Sequence, residues 1–171
     1  ARAKLNGANY KIIGAKNQRH AFCITSKADA PVKTPKDLES GVKLGLATIN
    51  QPVLDAIVKL NDLDASKINV VTTQGNPQPL ASGEVDCFLT LLGPIALELQ
   101  GIKTHSFLLS DYGYDIFAGI FIVTEETLAA KHDQVIKLLR AEIRGWQDFT
   151  KDIDYATKLT VEKYAADQGL D

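Results

Sequence analysis

The feature that most constrains this chain is a regular alternation of short apolar runs with segments of helical spacing. Residues 10–15, 21–26, 42–47, 68–73, 85–89 and 104–109 are dense in aromatic and β-branched side chains and have the length of strands. A helix is expected from about residues 50–52 to 62, where Val53, Leu54, Ile57, Val58 and Leu60 keep roughly helical spacing. Shorter helices are expected over 77–82, ended by Gly83, and over 94–99, ended by Gly101. Thr34, Pro35 and Asp37 supply a cap, a first helical position and a first-turn acid for one more short helix. Strands separated by helices pair in parallel, because a parallel pair needs a crossover. The pattern therefore predicts an α/β layer fold with a mostly parallel sheet.

The last third of the chain changes character. Residues 116–123 are long, apolar and β-rich, and read as a strand leaving this layer structure. Thr124-Glu125-Glu126-Thr127 opens a helical region in which Val135, Leu138, Leu139, Ile143 and Trp146 form one stripe. A final helix is expected over 154–166, with Ala156, Leu159, Thr160 and Tyr164 on one face.

Composition narrows the function classes. The net charge is −2 and the basic residues are scattered, which argues against a nucleic-acid partner. No apolar run approaches the roughly 20 residues that span a bilayer. The first six residues lack the apolar core of a signal peptide and the chain has no initiating Met, so a processed, trimmed or partial chain is expected. Cys23 and Cys87 are expected as buried thiols, and a disulfide between them would need their Cβ atoms within about 4.5 Å. Three histidines with no HxxxH or CxxC spacing predict no metal site. GxSxG, Walker and GxGxxG motifs are absent, so the expectation is a protein that is not an enzyme and carries no cofactor. Asp111 and Asp115 would be the acid–base pair of an alternative, although acidic residues are common in loops.

In α/β sheets of this kind, ligands sit beyond the carboxyl ends of the strands. The candidate loops are therefore 48–52, 74–77, 90–94 and 110–114. Thr48, Asn50 and Gln51 lie at a helix start whose free N–H groups suit an anionic or carbonyl group, or Thr48 or Asn50 simply caps that helix. Gln74 and Asn76 flank a glycine and offer amides to a heterocycle, or form a turn. Thr90 can donate to a ligand or cap the helix expected at Gly93-Pro94. Tyr112 and Gly113 belong to a loop whose aromatic faces suit a flat or cationic ligand, or pack on the surface. Gln18, in the polar stretch 16–20, completes the expected ligand-binding set.

Several segments, in order along the chain, carry a family likeness. Pro35-Lys36-Asp37-Leu38 followed by Val42-Lys43-Leu44-Gly45-Leu46 resembles the PxDLxGKxxG stretch of type II periplasmic binding proteins. Residues 79–86, Asp111-Tyr112-Gly113-Tyr114, residues 139–148 and residues 164–170 are similar to further elements of the same family. The likeness is strongest to the branch that handles thiamine precursors, riboflavin, sulfonates and nitrate. Glu39-Ser40-Gly41-Val42 and Leu91-Leu92-Gly93 depart from the usual pattern.

The resemblance implies a substrate-binding component of an ABC transporter that captures a small organic solute, heterocyclic or anionic, between two lobes. It implies a periplasmic or membrane-anchored extracytoplasmic bacterial protein, a monomer, whose partners are a small-molecule ligand and a transporter permease. It divides the chain into 1–20, the end of a first lobe and hinge; 21–115, the second lobe; and 116–171, the returning strand and first-lobe helices. Members are longer at both ends, so the resemblance implies the central part of a longer protein, with one complete lobe. A thiamine-pyrimidine biosynthesis enzyme and the effector domain of a transcription regulator share the fold and remain as alternatives. The enzyme group carries a cysteine-rich motif that this sequence lacks, and the regulator would need a helix-turn-helix partner.

Overall fold

The computed structural model describes residues 2–91 and 95–166. In chain order its helices are α1 (Arg2–Leu5), α2 (Gln51–Leu60), α3 (Gln78–Ser82), α4 (Ile95–Glu98), α5 (Glu125–Ala130), α6 (His132–Lys151) and α7 (Ile153–Leu159). Its strands are β1 (Tyr10–Asn17), β2 (Phe22–Lys27), β3 (Lys43–Ala47), β4 (Asn69–Thr73), β5 (Cys87–Leu91), β6 (Thr104–Leu108) and β7 (Ala118–Thr124). The helix start expected at Gly93-Pro94, the departure at Leu92-Gly93 and the tail beyond residue 166 lie outside the described residues. The chain forms two compact units, one of residues 15–119 and one of residues 1–14 with 120–171.

The unit of residues 15–119 is built on a five-stranded sheet of order β4-β3-β5-β2-β6. β3 runs parallel to β4 and to β5, while β2 is antiparallel to both β5 and β6. Four of the five strands therefore point the same way, and β2 alone is reversed. One face of the sheet carries the larger core, where Ile24, Leu44, Leu46 and Leu89 meet Val53, Leu54 and Ile57 of α2. The other face buries Phe88 and Val85 against Leu80 of α3 and Leu97 of α4. Fully burying a Leu or Ile contributes about 1.5–3 kcal/mol, so the stripe Val53–Leu54–Ile57 is what fixes α2 across the sheet. Before β3, Asp37 accepts the N–H groups of Lys33 and Thr34, both at 2.9 Å, and so opens a 3-10 turn over Pro35–Ser40. Those hydrogen bonds hold the Asp37 carboxyl below its usual range, the Lys33 N–H contributing most.

In the other unit β1 pairs with β7. Gly14 lets this ribbon approach α6: a Cβ there would lie 3.5 Å from the Phe121 ring and 3.7 Å from Leu139. Thr124 accepts the Thr127 N–H at 3.0 Å and caps α5, and Asp152 accepts the Tyr155 N–H at 2.8 Å and caps α7.

Three expectations change in detail. The strand expected over 85–89 begins two residues later, because Val85 and Asp86 are taken by other bonds: the Val85 N–H by Pro79 O and the Asp86 N–H by Lys43 O. The long helical region breaks at Lys131 into α5 and α6. The final helix gives way after Leu159 to a wider turn over Thr160–Tyr164, closed by the Ala165 N–H on Thr160 O at 2.8 Å.

Candidate functional site

Strand polarity decides where chemistry can collect in the unit of residues 15–119. β3, β4, β5 and β6 all end on one edge of the sheet, and reversed β2 begins there. Register fixes the row: Ala47 opposite Thr73, and Cys23 opposite both Thr90 and Leu108. Thr48, Asn50 and Gln51 follow Ala47, Gln74 and Asn76 follow Thr73, Thr90 lies in the row itself, and Gln18 precedes β2. One sheet edge thus gathers seven of the nine residues expected to bind ligand.

Their side chains differ in what they already hold. Gln51 donates to Asp55 at 2.8 Å, Asn76 accepts the Gln78 N–H at 3.1 Å, and the Thr90 hydroxyl donates to Leu91 O at 3.2 Å. The side chains of Gln18, Thr48, Asn50 and Gln74 make no hydrogen bond among the described residues. In particular neither Thr48 nor Asn50 gives a side-chain cap to the helical start, although the chain places them at it. The turn that presents Gln74 depends on Gly75, whose φ of 80° is a left-handed conformation that side chains disfavour.

Tyr112 and Gly113 are not brought to this edge. The chain folds back after β6, so that the Tyr112 hydroxyl donates to Lys33 O at 3.2 Å and its ring meets Phe107 edge-on at 5.1 Å. Asn61, just past α2, donates to Tyr112 O at 3.1 Å, and Leu60 lies 3.8 Å from where a Cβ on Gly113 would stand. α2 has ten residues, which puts its far end about 15 Å from the edge where Gln51 starts it. The physical reason is the apolar ring of Tyr112, which packs against the larger core.

Four residues at or beside the edge escaped the sequence reading. Arg19 donates to Asp111 at 2.8 Å and lies 3.6 Å from Asp115, which ties the segment before β2 to the segment after β6. The Asp111 hydrogen bond holds the guanidinium pKa above its ordinary value. Asp111 and Asp115 are thus ion-pair partners of one arginine. His20 stacks on Phe22 with ring centres 3.9 Å apart and planes 10° from parallel, and its Nδ1 accepts the Phe22 N–H at 3.1 Å. Burial pushes the His20 pKa below the usual imidazole value. Ser110, 8% exposed, carries a buried hydroxyl with no partner among the described residues, a state that costs about 1–3 kcal/mol. Ile49 is 86% exposed between Thr48 and Asn50. Only the charge signs of Arg19 with Asp111 and Asp115 were readable in advance; a 92-residue separation hid the pairing.

Cys23 and Cys87 are buried thiols on adjacent strands and form no disulfide with each other; the register sets Cys87 opposite Ser26 rather than Cys23. Burial pushes the Cys87 thiol up to about 12. Among the described residues no group of His, Cys, Asp and Glu is placed to hold a metal, and no helix is long and apolar enough to cross a membrane. Two shallow grooves, of about 470 and 490 Å³, lie at the opposite edge of the sheet around Lys27, Ala28, Ile102 and Lys103.

The model of the NMT1/THI5-like family matches residues 1–156. No curated protein matches the chain in sequence. Among solved structures the chain is similar to the periplasmic aliphatic sulphonate binding protein SsuA from Escherichia coli, with a TM-score of 0.69 and 18% identity over 99% of this chain and 58% of that one. The alkanesulfonate-binding protein SsuA from Xanthomonas axonopodis pv. citri, bound to MOPS, is similar with a TM-score of 0.62 and 16% identity, over 99% and 58%. Protein AF1704 from Archaeoglobus fulgidus gives 0.57 and 18%, over 99% and 61%. The chain thus spans under two thirds of the length of these structures. They share its mixed α/β fold, that of type II periplasmic binding proteins.

Proposed function

We propose, from the premise that this chain belongs to the NMT1/THI5-like family, that it captures a small organic solute for an ABC transporter permease. The observation that carries the reading is the row of polar side chains at the carboxyl edge of the five-stranded sheet. Thr48, Asn50, Gln74 and Gln18 stand there without partners among the described residues, beside the start of α2 with its positive dipole end. A binding protein needs a few placed polar groups and no reactive centre. Sulfonate binding, stated for two of the structural neighbours, points to the same class of protein.

On this reading Gln18, Thr48, Asn50 and Gln74 contact the solute first, and Gln51, Asn76 and Thr90 hold the loops that present them. Tyr112 and Gly113 keep the fold rather than touch the solute. The protein works as a periplasmic or membrane-anchored monomer. Residues 21–115 serve as one lobe, and 1–20 with 116–171 contribute hinge and helices to the other.

Titration calorimetry of the full chain against ethanesulfonate, MOPS, 4-aminopyrimidine and riboflavin tests the proposal. At least one should bind, and Asn50→Ala or Gln74→Ala should weaken that binding about tenfold, or about 1.4 kcal/mol. Because neither side chain makes a hydrogen bond among the described residues, folding stability should change by no more than about 0.5 kcal/mol. Unchanged affinity in both variants, or no binding at all, contradicts the proposal.

A further inference from the structure

We infer that His20 is a positioning residue of the solute site: its neutral ring clips the bend that carries Gln18 to the start of β2, and a proton on Nδ1 releases the clip and weakens capture. This rests on the solute-binding reading above and names how that site is regulated.

The bend is short. β1 ends at Asn17 and β2 begins at Phe22, so Gln18, Arg19, His20 and Ala21 make the whole connection. Among the described residues two side chains anchor it. Arg19 donates to Asp111 at 2.8 Å and lies 3.6 Å from Asp115. His20 accepts the Phe22 N–H on Nδ1 at 3.1 Å and lies flat on the Phe22 ring, with centres 3.9 Å apart. Phe22 is itself fixed, 9% exposed and in contact with Tyr114 at 6.2 Å between ring centres. The His20 clip therefore transmits the position of the buried strand to the exposed bend.

The clip works in one protonation state only. An Nδ1 that accepts a hydrogen bond is unprotonated, so the imidazole is neutral with its proton on Nε2. In the imidazolium both nitrogens are donors, and Nδ1–H would face the Phe22 N–H. A half-turn of the ring keeps the stack but puts carbon Cδ2 where Nδ1 stood, so the N–H loses its acceptor either way. The charged groups beside His20 are Arg19 in its own segment and, from the segment after β6, Asp111 and Asp115; Tyr114 lies beyond Phe22. Both carboxylates are already engaged by Arg19, which leaves no acid shown holding the imidazolium in place. Burial pushes the His20 pKa below the ordinary imidazole value. The clip is thus formed through the neutral range and is lost as pH falls through that lowered value.

Calorimetry on the full chain, with whichever of the four solutes named above binds, compares wild type with His20→Asn and His20→Ala at about pH 7.5 and about pH 5. Asn sets Oδ1 where Nδ1 stood and accepts the N–H two residues on, but does not titrate. At the upper pH it should bind within about twofold of wild type, and at the lower pH wild type should be about three- to tenfold weaker than it. Taking this ratio cancels titration of the solute and of Asp111 and Asp115. His20→Ala, which has no acceptor, should bind weakly at both, and circular dichroism confirms that each variant folds. In the solute-free chain the Phe22 amide and the His20 ring resonances should move on one titration curve. A ratio that does not change with pH, wild-type affinity in His20→Ala, or a Phe22 amide that stays still while His20 titrates overturns the inference and leaves the solute-capture reading standing. Binding of none of the four solutes removes both.

Discussion

Gly45 stands at the centre of the parallel strands, opposite Val71 of β4 and Phe88 of β5. A Cβ built on it would lie 3.2 Å from each of Phe88, Thr73 and Val85. Three simultaneous close contacts leave no direction in which one neighbour can yield, so Gly45→Ala should cost about 1–3 kcal/mol by overpacking. A lowered urea midpoint with an unchanged m-value would show this, and an unchanged midpoint would contradict it. At this scale the sequence was legible where a residue's place follows from strand order. Thr48 and Gln74 come directly after a strand and Asn50 two residues further on, and strands alternating with helices in this way end on one edge. Tyr112 was not legible, because its position depends on an apolar ring turning back onto Phe107 and a hydroxyl reaching Lys33 O. His20 was not legible either, since nothing in the sequence shows its ring lying flat on Phe22.

Helix α6 carries an exposed apolar stripe. Val135 is buried, yet Leu138 and Phe149 are exposed, with Ile143 at 58% and Trp146 at 40%. Trp146 meets Phe149 edge-on at 5.6 Å and shields part of that stripe. Trp146 is the single tryptophan of the chain, so its fluorescence reports on this surface alone. Iodide should quench it in the folded chain, and Ile143→Ser should change stability by no more than about 0.5 kcal/mol. Protection from iodide, with a loss of several kcal/mol in the variant, would mean that the stripe is covered. The period of this helix was plain in the sequence, because apolar residues at i, i+3, i+4, i+8 and i+11 admit no other structure. Its break at Lys131 and the wide turn after Leu159 were not, since helical spacing continues through both. The start of β5 was misplaced because Val85 is apolar and buried but belongs to the connection, with its N–H held by Pro79 O.

At the scale of the molecule, two sheet edges compete as the place of action. The amino edge holds the grooves around Lys27 and Lys103. The carboxyl edge holds the amides of Gln18, Asn50 and Gln74 and the Thr48 hydroxyl, unbonded among the described residues, with the His20 ring stacked on Phe22 and the start of α2. Chemistry favours the carboxyl edge, because open grooves lined by lysine stems bury little of a solute, whereas convergent polar groups select one. The α/β architecture and the edge were readable from strand and helix alternation; which loops turn away from that edge was not, because this is settled by packing between residues far apart in sequence. The most direct test is to map amide chemical shifts of the isotope-labelled chain while adding whichever solute calorimetry identifies. The shifts should concentrate in Thr48–Gln51, Gln74–Asn76, Thr90 and Gln18–His20, with Tyr112 and Gly113 little changed. Shifts centred on Lys27, Ala28 and Lys103, with those loops silent, would contradict it.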